Sequence, residues 1–375
     1  MQAITIMKPN EETLRKLFPS DPSFLMEKRK QALDAFEKKE MPLFKYGLGV
    51  FARLDLDFEK LILKKRAPQF SLSSDVKFFS LEEIKDEVLM NKIKDTLGTL
   101  LPLQNKIDAY HYAFCDIMVI MNEKDAKLDL SFIVEECIAH HLLIFVKEHT
   151  TLHITERIKG EGTRTSKVEI IAEPFSQVHY TTLQMLEKGV HLTTKKAIVK
   201  ENATVTWKEI VLGGDHVKST IISDLQGEHA HTNIDSLFFG VQQQMFDMHS
   251  IAHHQAPHTH SLITAKGCLD HHAKAISHGL IEITPQAPYS EGSQKESTLL
   301  LSDEAESNAI PDLIIHHDEV KCSHAASVGH IDQESLFYLM SRGLTEQEAK
   351  KLIVEGFFAD SEDEEVQQRI KERLS

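Results

Sequence analysis

Cys322-Ser323-His324 places a thiol and an imidazole two residues apart. In an extended strand, residues i and i+2 face the same side. The pair would then offer one sulfur and one nitrogen donor to iron or a nascent iron–sulfur cluster at an edge or interface. Metal binding at neutral pH needs the thiolate, so this reading asks for a lowered Cys322 pKa, which a protonated His324 would favour. The competing reading makes Cys322 a small buried hydrophobe and His324 an ordinary hydrogen-bonding side chain. A second pool of donors is histidine, with 22 in all and twelve between His249 and His330. The densest stretch is His249, His253, His254, His258 and His260, followed by Cys268-Leu269-Asp270-His271-His272. His253, His254, His258, Cys268, His271 and His272 are the weaker metal candidates. Their spacing matches no standard zinc finger, and outward positions of stacked strands line up histidines without any metal.

Other chemistries lack their motifs. There is no G-x-x-x-x-G-K-[ST] loop, so the chain is not expected to hydrolyse ATP by itself; Gly160-Glu161-Gly162-Thr163-Arg164-Thr165-Ser166-Lys167 has the residues in the wrong order. Neither G-x-S-x-G nor H-E-x-x-H occurs. No carboxylate pair stands out as acid and base, which argues against a β-helix polysaccharide lyase or hydrolase.

The elements that must hold these donors change character along the chain. The first hundred residues read as helices. Asp21-Pro22 is a start signal, with Asp21 expected to accept from free backbone N–H groups. Ser80-Leu81-Glu82-Glu83 fits a capping box, with Leu81, Ile84, Val88, Ile93 and Leu97 behind it. Residues 41–79 read as irregular. From about residue 112 short apolar or alternating runs take over, including Ile117 to Met121, Leu128 to Val134 and Val168 to Ala172, with the β-branched enrichment of strands. Tyr180, Trp207 and Ile234 recur at intervals of 27 residues. Helix-free repeats of this length suggest a β-solenoid that stacks one apolar row on the next; an antiparallel sandwich is the alternative. After about residue 330 the period is helical again. Gly343 stands at a C-cap, Thr345-Glu346-Gln347-Glu348 and Ser361-Glu362-Asp363-Glu364 are capping boxes, and Val366, Ile370 and Leu374 are spaced by four.

Composition bounds the setting. A chain of 375 residues, 41% hydrophobic and 26% charged, is ordinary for a globular protein with two or three structural regions. Its net charge of −15 argues against binding nucleic acid or an anionic membrane. Cys115, Cys137, Cys268 and Cys322 are far apart and read as reduced thiols. No apolar run reaches the roughly 18 residues of a membrane span, and Met1-Gln2-Ala3-Ile4-Thr5 lacks a signal-peptide layout. A cytoplasmic location is expected.

Several segments together resemble one family. Gln294-Lys295-Glu296-Ser297-Thr298-Leu299-Leu300-Leu301-Ser302 is similar to a Gln-x4-Leu-Leu-Leu-Ser motif. Pro311 to His324 is similar to Pro-x-Leu-x-Ile-x-x-Asp-Asp-Val-x-Cys-Ser-His, and Leu336 to Gly343 to Leu-Phe-Tyr-Leu-x-Ser-Arg-Gly. This order, strongest over about 247–360, resembles the SufD-type members of the SufB/SufD family, scaffold subunits of the SUF iron–sulfur cluster assembly machine. A SufB-type member would carry a Glu-His-Glu-Ala kind of segment instead of Val320-Lys321-Cys322-Ser323-His324.

The resemblance implies a mainly β fold: a right-handed parallel β-helix over 111–330, between an N-terminal helical region (1–110) and a C-terminal helical domain (331–375). It implies a non-catalytic scaffold that pairs with a SufB-like subunit through the β-helix edge. A SufC-like ABC ATPase would dock on the C-terminal helices and perform the ATP hydrolysis. The family's interfacial histidine falls on His324 and its neighbouring cysteine on Cys322. Docking candidates are Leu336, Phe337, Tyr338, Arg342 and Gly343, with Leu352 and Phe357 on the following helix. No cofactor is expected to be tightly bound by this chain alone, only iron or a cluster in transit, and the isolated chain is expected to be a homodimer. Ala325, Ser327 and His271 depart from the family pattern, and Ala325 and His271 stand where glycine is usual. The alternative function is a stand-alone histidine-rich metal-binding β-helix protein.

Overall fold

The computed structural model describes residues 9–359, except 48–49, 54–55, 57, 59–60, 62, 64–67 and 73–75, together with residues 363–374. In the N-terminal region, α1 (Glu11–Leu17) and α2 (Ser23–Lys38) lead to the hairpin β1 (Leu43–Gly47) and β2 (Val50–Arg53), then β3 (Gln69–Leu72) and β4 (Val76–Ser80). Next come α3 (Glu87–Thr96) and α4 (Lys106–Phe114). Segment 41–79 therefore holds short strands, where the sequence by itself reads as irregular chain. Asp21 does not cap α2. Its carboxylate instead takes the buried Arg29 Nε at 2.6 Å, and Pro22 occupies the cap position. The Ser80 capping box is not used for an α-helix either. Residues 81–83 make one 3-10 turn, and α3 starts later, with Asp86 accepting from the Val88 and Leu89 N–H groups. Val88 is consequently 79% exposed.

From β5 (Asp116–Asn122) onward the chain winds a parallel β-helix. Strands β6 (Ala126–Val146), β7 (Thr151–Ala172) and β8 (Gln177–Val199) are long enough to cross both walls. After them each wall has its own strand. One wall continues through β9 (Thr204–Val211), β11 (His231–Gly240), β13 (His260–Leu269), β15 (Glu291–Leu300) and β17 (Lys321–His330). The other continues through β10 (His216–Leu225), β12 (Met245–His254), β14 (Lys274–Ile283) and β16 (Glu306–Ile315). The repeat read from sequence is this stacking: Ile154, Tyr180, Trp207, Ile234 and Ile263 are register partners in one inward column.

Two backbone features let the coils close. At one corner His149, Phe175, Asn202, His229, His258 and Tyr289 all have positive φ. Each donates its N–H to a carbonyl of the next coil. The rings stack along the corner, His229 on His258 at 4.9 Å and His258 on Tyr289 at 5.1 Å, which helps hold a conformation that non-glycine residues seldom adopt. At the bend within the long strands glycine is required, because a Cβ on Gly162 would stand 2.1 Å from the Glu136 carbonyl oxygen.

A buried polar chain runs through the otherwise apolar middle coils. Arg164 pairs with Glu156, which also accepts from the Tyr180 hydroxyl (3.2 Å) and the Thr182 hydroxyl (3.3 Å). Lys195 donates to Glu209 (2.7 Å) and Thr182 (2.6 Å), and Trp207 Nε1 to Ser223 (3.0 Å). Burial alone would raise the Glu156 carboxyl, but Arg164 and Lys195 hold it below its ordinary value.

The tail turns back along the solenoid as α5 (Gln333–Ser341), α6 (Glu346–Phe357) and α7 (Glu364–Arg373). The Thr345 capping box forms, with Thr345 and Glu348 bonded reciprocally. Gly343 has φ +98° after α5, and its N–H donates to the Met340 carbonyl. The Ser361 capping box lies outside the described residues; Asp363 caps α7. Val354, Phe358, Val366 and Ile370 cover Ile210, Phe239 and Cys268 on the outside of the first wall. Among the described residues no helix is long and apolar enough to cross a membrane.

Candidate functional site

The β-helix ends open. β16 pairs only with β14 and β17 only with β15, so among the described residues no strand covers the outer edge of either. Two ten-residue edges thus offer unpaired backbone donors and acceptors, the arrangement that captures another strand. Ile314, Ile315 and Val328 are exposed there.

Cys322 and His324 lie on β17, in register with Gly292 and Gln294 of β15. Gly292 and Gln294 face the buried interior, so Cys322 and His324 continue two inward columns into the last, uncovered coil. Cys322 is half-buried against the apolar interior. Burial pushes its thiol up, and a backbone hydrogen bond with Gly292 offsets this only in part. The lowered pKa asked for by the sequence reading is therefore absent in the isolated chain, where loss of water outweighs any neighbouring positive charge. His324, by contrast, is exposed.

Two further polar groups stand behind this pair. Gln294 and Glu296 project across the interior toward Gly279 of β14. A Cβ on that glycine would meet Gln294 Oε1 at 2.3 Å and Glu296 Oε1 at 2.8 Å. Gln294 Nε2 donates to the Asp312 carbonyl at 3.1 Å, while its Oε1 and both Glu296 oxygens lack a partner of full hydrogen-bond geometry. Burial raises Glu296 to about 6, with Ser277 and the Gly279 backbone restraining the rise. The open end thus gathers a thiol, an imidazole and a carboxyl that exchanges its proton near pH 6. Sequence reasoning missed Glu296; the signal was its parity, two residues after Gln294 and so on the same inward face.

The other histidine-region candidates go to separate places. His254 is inside, with both ring nitrogens already bonded, to Thr259 at 2.7 Å and Ser261 at 2.8 Å, and burial lowers it to about 4. His253 is on the outer face between Asp224 (2.8 Å) and Glu282 (3.6 Å). His258 belongs to the stacked corner, and Cys268 is buried under the tail helices. His271 occupies a turn with φ +57°, and His272 follows it. Of the two glycine departures, His271 therefore bears the backbone cost, whereas Ala325 lies in an ordinary strand. Other histidines stack ring on ring along the coils: His153 on His179 at 4.5 Å and His231 on His260 at 4.7 Å.

The tail candidates divide by burial. Leu336 is buried with Ile331 and Ala349, and Phe357 packs beside Phe358. Phe337 (73%), Tyr338 (56%) and Leu352 (49%) are exposed apolar side chains. The Arg342 guanidinium lies 5.2 Å from the Tyr338 ring centroid, and Gly343 is open to solvent.

Residues 131–357, which include the β-helix from within β6 through α6, match the family model described as SUF system FeS cluster assembly, SufBD core domain. The chain belongs to the SufBD family. It is 34% identical over 200 residues to an iron–sulfur cluster assembly SufBD family protein of Mycobacterium bovis, covering 53% of this chain and 24% of the relative. A SufBD family protein of Mycobacterium tuberculosis gives the same figures. One from Staphylococcus aureus is 33% identical over 221 residues, 57% of this chain and 48% of the relative. The chain thus spans about a quarter of the mycobacterial relatives and about half of the staphylococcal one.

Proposed function

We propose that this chain is a non-catalytic scaffold subunit of SufD type. Its open β-helix end pairs with a SufB-like subunit, its tail (331–375) docks a SufC-like ATPase, and iron or a cluster passes Cys322 and His324 while the interface is formed. The observation that carries the reading is the last coil: two uncovered ten-residue edges beside a thiol and an imidazole that project into the uncapped interior. A partner strand laid on these edges would complete the ladder and bury both donors, which accounts for a soft-ligand pair left unfinished in the single chain. Phe337, Tyr338, Leu352 and Arg342 supply an apolar patch with one cation, fit for a partner of opposite charge at its rim. ATP hydrolysis belongs to that partner. Residues 111–330 would be the pairing core and residues 1–110 a helical cover. The stand-alone metal-store reading gains nothing from the geometry, since its histidines and Cys268 do not converge.

Calorimetry with the SufB-like and SufC-like subunits tests this. Phe337→Asp should abolish ATPase binding and leave SufB-like pairing intact, and Val328→Lys on the edge should do the reverse. Point variants serve better than deletion of the tail, which would expose Ile210 and Phe239. Absence of binding to either subunit by the folded wild-type chain would overturn the proposal.

A further inference from the structure

The contact between α4 and the first coil contains a buried group of donors that no part of the scaffold reading uses. His111 and Cys115 are four residues apart at the end of α4, and one helical turn brings them to the same side. They meet His141 of β6, and one donor atom from each of the three lies within 4.8 Å of the others. All three are buried, His111 with 1% exposure and Cys115 and His141 with none.

Each histidine has one nitrogen near an oxygen. His111 Nδ1 bonds the Thr165 hydroxyl at 3.1 Å, and its Nε2 is buried without a partner. His141 Nε2 is 3.6 Å from Glu169 Oε1, beyond hydrogen-bond reach, and both of its ring nitrogens are buried without a hydrogen bond. Thr165 and Glu169 belong to β7, on whose outer face they flank Lys167, the register partner of His141. Buried nitrogens left unbonded are costly, so such atoms grouped with a buried thiol call for an explanation. Imidazoles oriented by oxygen partners on their far nitrogens are the usual outer arrangement of a metal site.

We propose that His111, Cys115 and His141 bind one divalent transition-metal ion, zinc or iron(II), which ties α4 and the N-terminal helices to the β-helix. Thr165 and Glu169 are positioning residues that fix the two imidazoles. Burial pushes the free Cys115 thiol up, so an ion would bind by displacing its proton; the thiolate so formed and the Glu169 carboxylate together would balance a dication, and the Lys167 ammonium is already paired with Asp108 at 2.7 Å. The distances fit as well. Tetrahedral bonds of roughly 2.0–2.3 Å set donors about 3.3–3.8 Å apart, so side-chain rotations of about 1 Å suffice. A cleft of about 80 Å³ lined by Asp108, His111, Thr165 and Lys167 reaches one of the three donors, His111. The inference is independent of the scaffold reading.

The test uses the full, untagged chain, stripped of metal and titrated with cobalt(II) as optical probe. The expected result is one tightly bound ion per chain with a thiolate-to-cobalt charge-transfer band. Cys115→Ser should remove the band and weaken binding at least tenfold, while Cys268→Ser, under the tail helices, leaves both unchanged. Displacement by zinc and, without oxygen, by iron(II) ranks the two metals. X-ray absorption of the zinc-loaded wild type should count one sulfur and two imidazole nitrogens, a readout that does not depend on any variant folding. A wild type without the thiolate band, a band that survives Cys115→Ser, or one that Cys268→Ser removes would overturn the proposal.

Discussion

Replacing Glu296 by glutamine should make the chain more stable at neutral pH, and only there. The carboxyl lies inside the last closed coil, opposite Gly279, and burial raises it from 4.5 to about 6. Each pKa unit is worth about 1.4 kcal/mol, so charging Glu296 in the folded chain costs up to about 2 kcal/mol more than in the unfolded one. The sign follows from proton counts. Below about 4.5 both states hold the proton and the cost is absent. Between about 4.5 and 6 the folded chain retains it and the unfolded chain has lost it, so stability falls as pH rises. Above about 6 both are ionised and the full cost remains. The amide of the Glu296→Gln variant has no such proton, so the two stability curves should coincide near pH 4 and separate to a plateau of at most about 2 kcal/mol by pH 7. Urea denaturation of both chains across this range measures the separation. Parallel curves, or a gap that opens below pH 4.5, would refute the argument that burial governs this group. If a second chain covers the open end, desolvation deepens, and the gap should extend to higher pH at higher protein concentration.

Arg164→Met should cost about 3–5 kcal/mol, because it strands the Glu156 carboxylate inside the coil; a second change, Glu156→Leu, should recover most of that loss in thermal or urea melts. Leu336→Asp should destabilise the tail by several kcal/mol, while Phe337→Asp, on an exposed side chain, should stay within about 0.5 kcal/mol in the same assay. The isolated chain should be a dimer by light scattering at micromolar concentration, and Val328→Lys should make it monomeric by placing a charge on the open edge.

The solenoid was legible because it repeats. Tyr180, Trp207 and Ile234 recur at one interval, and the structure sets them in register. The tail was legible through local capping chemistry, as at Thr345 and Gly343. What escaped depended on distant partners. Glu156, Lys195 and Glu209 resemble the solvated charges of any alternating strand, and only closure of two walls turns them inward. The short strands β3 and β4 exist because β6 and β5 offer them edges, which local propensity cannot reveal. Proximity in sequence misled in the histidine-rich stretch: Cys268, His271 and His272 are neighbours along the chain, yet Cys268 packs under the helices while His271 turns at a corner. His111 and Cys115 did carry a signal, a helical i, i+4 spacing, but their partner His141 arrives only after the chain has begun the β-helix.

The position of the tail bears on how a docked ATPase would act on the open end. Only Ile331 and Asp332 separate β17 from α5, so the strand carrying Cys322 and His324 runs almost directly into the helix carrying Phe337 and Tyr338. Leu336, on that helix, belongs to a cluster that includes Leu299 of β15. β15 carries Gln294 and Glu296 and is the ladder partner of β17. Further back, Arg373 of α7 donates to the Phe239 and Leu212 carbonyls, fixing the rest of the tail to the same wall. Close-packed interiors transmit displacement rather than absorb it. A rotation imposed on α5 would therefore reach β17 through a two-residue joint and β15 through packed leucines, bearing on the ligand pair and on its buried carboxyl together. A tail on a long free linker would have given an ATPase a tether. This tail would give the proposed ATPase partner a lever on β17, whose outer edge no strand covers among the described residues.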